Sequence, residues 1–123
     1  MPQLTLTGIN IDAPDPHRLA AFYGMLLGWE IARTEEHDVW LRPPGGGPGL
    51  SFQRESAYKR PTWPARPGDQ QMMMHLEVMV DDLDAAVAVA VAAGATIAEY
   101  QPQDSVRVCL DPAGHPFCLW LHG

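Results

Sequence analysis

The strongest constraint on the fold is an internal repeat. "LRPPGGGPGLSF", beginning at Leu41, lies over "LDPAGHPFCLWL", beginning at Leu110, with proline, glycine and terminal apolar residues at matching places. Upstream, Asp15 falls over Asp82, each opening a helical stretch, with a slightly shorter offset along the chain than the Leu41 overlay uses. Such self-similarity marks one supersecondary unit used twice. Two copies cannot make a solenoid, so a paired, pseudo-twofold sheet arrangement is expected.

Each half reads as β-α-β-β-β. "LTLTGINID", Leu4–Asp12, alternates apolar and polar residues as a strand does. "DPHRLAAFYGMLLG" supplies Asp15 as N-cap, Pro16 at the first helical position, Gly28 as terminator, and Leu19, Phe22, Tyr23 and Leu26 on one face. Strands are expected at Trp29–Thr34, Asp38–Arg42 and Gly49–Arg54. The second half offers a strand at Met72–Val80, a helix at Asp82–Ala93 closed by Gly94, and strands at Thr96–Tyr100, Ser105–Leu110 and Phe117–Leu121. "AVAVAVA" in that helix also fits strand periodicity; the Asp82 cap, the alanines and the closing glycine favour helix.

The expected class is α+β, with tandem βαβββ modules forming a curved mixed sheet around a cleft. A single domain spans residues 1–123, with module one at 1–55, a linker at 56–70 and module two at 71–123. The stretch from Glu55 to Gln70, "ESAYKRPTWPARPGDQ", reads as linker; Tyr58 and Trp63 leave open that it also covers the cleft.

At 123 residues the chain fits one domain that needs no disulfide or metal staple. Its 15 acidic and 8 basic side chains, net −7, have the wrong sign for gripping a phosphate backbone, so no nucleic acid partner is expected. The apolar run Ala85–Ala95 falls short of the roughly 20 residues of a membrane span. No membrane partner is expected, and a soluble, cytoplasmic protein is. Cys109 and Cys118 lack zinc-site spacing and read as reduced thiols.

Strand alternation sorts side chains by face. In module two it sets Leu76, Val78 and Val80 against the helix, and Met73, His75, Glu77 and Met79 toward the cleft, joined by Arg107, Cys109, Cys118 and Trp120. In module one it sets Asn10, Trp40, Ser51 and Gln53 toward the cleft, beside Leu6 and Gly8. This mixture of apolar, aromatic and a few polar groups suits a small-molecule pocket, while Trp40 and Trp120 equally suit a core. Glu77, if desolvated, serves as a general base or amine ligand; Arg107 either pairs with it or grips a ligand carboxylate.

With its tandem modules, "FYGMLLGWE" closing the first helix and "DPAGHPFCLW" near the C-terminus, the chain resembles the vicinal oxygen chelate superfamily, which includes glyoxalase I, bleomycin resistance proteins and extradiol dioxygenases. The resemblance covers nearly the whole chain. Metal-dependent members draw ligands from the first and fourth strands of each module, and those positions correspond here to Gly8, Gly49, His75 and Cys118. Only His75 is a usual ligand. Glu77 and Asn10 share the cleft face but sit one alternation, roughly 6.8 Å, along their strands. No assured cofactor follows, although a divalent metal at His75 is left open.

By the family's sheet order His75 and Cys118 are expected side by side, where an imidazole can lower a thiol pKa and create a nucleophile. The resemblance thus implies a homodimer that binds a small, partly aromatic molecule with a degenerate metal site, as bleomycin resistance proteins bind their drug. The alternative is a glyoxalase-type lyase, isomerase or dioxygenase in which His75, Cys118 and Glu77 act as catalytic residues.

Overall fold

The structure, a computed structural model, describes residues 2–122. In chain order the elements are β1 (Gly8–Ala13), α1 (Pro16–Leu27), β2 (Glu30–Thr34), β3 (Asp38–Arg42), β4 (Gly49–Arg54), β5 (Leu76–Val80), α2 (Leu83–Ala93), β6 (Thr96–Ile97), β7 (Val106–Leu110) and β8 (Pro116–Leu121). The class is α+β, and the βαβββ order occurs twice. The chain divides into two compact units, Met1–Tyr58 and Lys59–Gly123.

The first unit is a four-stranded sheet in the order β1-β4-β3-β2, with β1 parallel to β4 and the other pairs antiparallel. Helix α1 begins where the Asp15 carboxylate accepts from the backbone N–H of His17 and Arg18, satisfying donors that have no partner within the helix. It ends at Gly28, whose φ of 69° is a left-handed conformation that glycine adopts without steric cost. The spacing of Leu19, Ala20, Phe22 and Tyr23 puts them on one stripe, and each is at most 2 % exposed. That stripe packs on the sheet, where the Tyr23 and Phe52 rings stack with centroids 5.5 Å apart.

The second unit repeats the plan in the order β5-β8-β7-β6, with β5 parallel to β8. Its helix forms despite the competing strand pattern. The Asp82 side chain accepts from Ala85 N–H, and Gly94 closes the C-terminus with its own N–H bonded to Ala90 and Val91 carbonyls. Alanine has the highest helix propensity, so the Ala/Val run needs only these two caps to commit to helix. The helix packs on β6, β7 and β8 over a core that includes Ala90, Cys109, Phe117 and Leu119.

Three strands are shorter than expected by three residues or more, each for a physical reason. The first starts at Gly8 because its partner β4 starts at Gly49, leaving Leu4 and Leu6 exposed. The fifth starts at Leu76 because Met72–Met74 form a γ-turn, closed by a 2.7 Å bond from Met74 N–H to the Met72 carbonyl with Met73 at φ 59°. The sixth stops at Ile97 because the side chain of Gln101 substitutes for a strand residue. Its amide accepts from Val108 N–H at 2.8 Å, taking the donor that a continuing ladder would use, and donates at 2.9 Å to the Val108 carbonyl, which also accepts from Ala98 N–H at 3.0 Å.

Residues 59–70 are fastened to the second unit. Thr62 N–H donates to the Gln70 carbonyl (2.9 Å) and Trp63 Nε1 to the Tyr100 carbonyl (3.3 Å). The Arg60 side chain lies over Gly114, where a Cβ would collide with it.

Candidate functional site

Burial alternates along β5. Leu76, Val78 and Val80 are half-buried while Glu77 and Met79 are exposed, as the alternation rule requires. Laterally, β5 pairs with β8 so that Glu77 lies opposite Cys118 and Met79 opposite Trp120. Directly paired residues project from the same face, so Glu77, Met79, Cys118 and Trp120 share the side of the sheet away from α2.

His75 immediately precedes the strand and completes a polar cluster. Its Nε2 lies 3.0 Å from Glu77 Oε2, and the Cys118 thiol donates to the same carboxylate. Among the described residues, one ligand atom from each of His75, Glu77 and Cys118 lies within 4.8 Å of the other two. Glu77 is therefore the hub of the cluster. The expectation that Glu77 stands a full alternation from the ligand positions is corrected: side-chain reach closes the distance along the strand, and register puts its backbone next to Cys118.

The expected neighbours His75 and Cys118 do bring donor atoms within 4.8 Å of each other, but the register makes Glu77 the residue directly opposite Cys118. Gly8 pairs with Gly49 and Glu77 with Cys118, with the same separation along the chain in both pairs. A single offset therefore serves both strands of a pair, whereas the overlay used a shorter one on the first strand than on the last. A carboxylate, not an imidazole, is the lateral neighbour of the thiol.

That neighbour sets the chemistry of Cys118. Burial first, then the hydrogen bond to Glu77 and its negative charge, and finally Cys109, push the thiol from its ordinary 9.0 up to about 12. It is protonated at neutral pH, the reverse of the lowering that a nucleophilic thiolate requires. Cys109 is pushed up to about 11 by burial.

Arg107 and Cys109 are not on this face. In the β7–β8 ladder Arg107 lies opposite Leu119 and Cys109 opposite Phe117, while Val106 and Val108 pair with Trp120 and Cys118. Arg107 donates to the carbonyls of Asp104 and Val106, both at 2.9 Å. The expected Glu77–Arg107 pair is corrected accordingly, since β7 runs with the opposite parity. Met73 is 83 % exposed at the γ-turn, outside the strand whose alternation had set its direction.

In the first unit the parity holds. Asn10 Nδ2 donates to Ser51 Oγ at 2.7 Å, Gln53 Nε2 donates to Asp12 Oδ1 at 2.9 Å, and Trp40 pairs with Ser51. Gly8 and Gly49 lie side by side. A Cβ on Gly49 would fall 2.5 Å from the Leu41 carbonyl oxygen, and one on Gly8 would fall 3.2 Å from the Gly49 oxygen. The close approach of β3 thus excludes a side chain at position 49. The four positions implied by the resemblance do not make the usual donor set here, because two have no side chain and one of those has no room for one.

One further carboxylate is buried. Asp111, 1 % exposed, accepts from Ala113 N–H, His115 N–H and His115 Nδ1, locking the "DPAGHP" turn. Asp111, Pro112 and Gly114 are turn-forming residue types, and a turn is what they make here.

A family model described as "Glyoxalase-like domain" matches residues 8–120. Among solved structures, a glyoxalase/bleomycin resistance protein/dioxygenase family enzyme from Burkholderia phytofirmans PsJN is similar at 21 % identity and TM-score 0.71, covering 96 % of this chain and 98 % of that one. The glyoxalase family protein from Enterococcus faecalis aligns at 22 % identity and TM-score 0.65, over 94 % of this chain and 95 % of that one. A fosfomycin resistance protein from Mesorhizobium loti aligns at 11 % identity and TM-score 0.69, over 98 % and 94 %. A search of curated proteins finds no match.

Proposed function

The chain belongs to the glyoxalase-like domain family, within the vicinal oxygen chelate superfamily, and from that premise we propose that it binds a small, partly aromatic molecule on the open face of its second sheet. The observation that supports this most is the composition of that face. An exposed Met79 is paired with Trp120 and adjoins the hydrogen-bonded His75–Glu77–Cys118 cluster. Apolar and aromatic surface with a few converging polar groups is the usual make-up of a small-molecule site.

Magnitudes require both parts of the face. A planar ring laid on Trp120 and Met79 removes roughly 100 Å² of apolar surface from water, about 2.5 kcal/mol at ~25 cal/mol per Å². Micromolar affinity needs about 8 kcal/mol. Hydrogen bonds to Glu77 and His75 must contribute much of the difference, and a carboxylate accepts but does not donate. The ligand therefore carries an N–H, an O–H or a cationic group beside its ring.

A second reading, a lyase or isomerase, draws on one observation: the 3.0 Å His75–Glu77 contact is a geometry that can move a proton. Resistance proteins and enzymes both occur among structures that share the fold, so the fold favours neither. The deciding experiment is a thermal-shift screen of aromatic amines and phenols with chelator present, followed by NMR of each stabilising compound. Binding that Trp120→Ala abolishes, with the compound unchanged, supports the binding reading. Conversion that His75→Ala abolishes supports the enzyme, and absence of any stabilising compound sinks both.

A further inference from the structure

We propose that the open face of the second sheet selects organic cations: an aromatic ring seated on Trp120 and Met79, tethered to an ammonium group that the Glu77 carboxylate holds. This rests on the reading that a small, partly aromatic molecule binds there. It adds the charge of that molecule and the distance between its two parts.

Charge decides between the donors that a carboxylate can accept. Strands β5, β7 and β8 carry one acidic side chain, Glu77, and one basic side chain, Arg107. Arg107 lies opposite Leu119, on the other side of the sheet, and its guanidinium donates to the Asp104 and Val106 carbonyls. Val106 and Val108, paired with Trp120 and Cys118, put only aliphatic groups on the open side. Glu77 therefore has no lysine or arginine of these strands beside it. His75 Nε2, at 3.0 Å, and the Cys118 thiol engage at most two of the roughly four acceptor sites of a carboxylate. With its side chain 55 % exposed, Glu77 offers the rest to a ligand.

A ring laid on the neighbouring Trp120 and Met79 strips water from that carboxylate, and a charge that loses water without gaining a counter-charge is destabilised. A neutral alcohol or amide replaces a hydrogen bond and leaves the charge uncompensated. An ammonium supplies N–H donors and the opposite charge together. An aromatic acid brings a like charge and is rejected. The 15 acidic and 8 basic side chains of the chain give a wider field of the same preference.

Spacing sets the tether. Glu77 with Cys118 and Met79 with Trp120 are successive pairs on one face, and such pairs repeat at about 6.8 Å along a strand. The Trp120 and His122 rings continue the row, their centroids 6.4 Å apart and their planes 16° from parallel. The face thus runs from carboxylate to indole to imidazole. A ligand laid along it has its ammonium at one end and its ring at the other, and a tether of about two or three carbons spans the step where a single carbon falls short.

The test is NMR titration of the full chain, in buffer containing chelator, with probes that share one ring: phenethylamine, its N-acetyl derivative, phenethyl alcohol, benzylamine and hydrocinnamate. Phenethylamine is expected to bind at least about tenfold more tightly than the alcohol or the acetylated amine, which keep ring and tether but lack the charge. Benzylamine is expected to be weaker than phenethylamine and hydrocinnamate the weakest, and the advantage of the amine shrinks as salt rises. In Glu77→Gln the amine and the alcohol bind alike, with near-ultraviolet circular dichroism checking the fold. The acetylated probe tests the charge on the unmodified chain. The proposal is overturned by equal affinity for phenethylamine and the alcohol, by benzylamine binding as well as phenethylamine, by hydrocinnamate binding most tightly, or by an amine preference that survives Glu77→Gln. Probes that bind alike and are lost in Trp120→Ala leave the proposed function standing while this inference falls, and absence of binding by every probe removes both.

Discussion

At the residue scale, Gly49 and the two cysteines show how packing dictates chemistry. Because a Cβ at position 49 meets the Leu41 carbonyl oxygen at 2.5 Å, Gly49→Ala pushes β3 from β4 and is expected to cost about 1–3 kcal/mol, read as a lower urea midpoint. An unchanged midpoint means that the strands give way freely, and the steric account of the missing ligand fails. Both thiols sit above their ordinary 9.0, Cys109 at about 11 and Cys118 at about 12. A raised folded-state value means that the native protein keeps protons that the unfolded chain releases. The associated stability is complete below pH 9 and declines as pH rises through 11 to 12. Urea midpoints measured across that window are expected to fall, and the fall to be shallower in a Cys109→Ala/Cys118→Ser double variant. Glycine at 49 could be read in the sequence. Its reason could not, because the blocking atom belongs to a different strand.

At the element scale, local and lateral signals behaved differently. Helix α1 was legible to its ends because Asp15, Pro16 and Gly28 act on the backbone within a few residues of themselves. Asp15→Ala is expected to cost about 1 kcal/mol, measured by denaturation, since it frees two N–H groups of the first turn. Strand β7 was legible in position but not in parity. Its pattern "VRVCL" alternates weakly, with valine, cysteine and leucine leaving both faces apolar, so only the ladder with β8 decides which side Arg107 takes. Arg107→Ala is expected to leave aromatic-ligand affinity unchanged; a marked loss would return Arg107 to the site. The γ-turn at Met73 was illegible for a similar reason. "MMMHLEVMV" has no glycine or proline to announce a break, and a methionine at φ 59° is a conformation imposed on the residue rather than favoured by it.

At the scale of the whole molecule, the repeat made the architecture readable. Two copies of βαβββ, each with capped helix and turn, restrict the topology strongly, and both sheets carry the same strand order. From the resemblance alone we propose a homodimer. Sedimentation is then expected to report twice the 13.5 kDa chain mass, and a monomer at working concentration refutes it. Local chemistry in the sequence by itself determined the elements, their caps, their order and their duplication, because each depends on residues within about a turn of one another. Only the tertiary structure decided the site. Lateral hydrogen-bond register, a property of two strands distant in the chain, placed Glu77 against Cys118 and turned Arg107 away. No periodicity within a single strand carries that information.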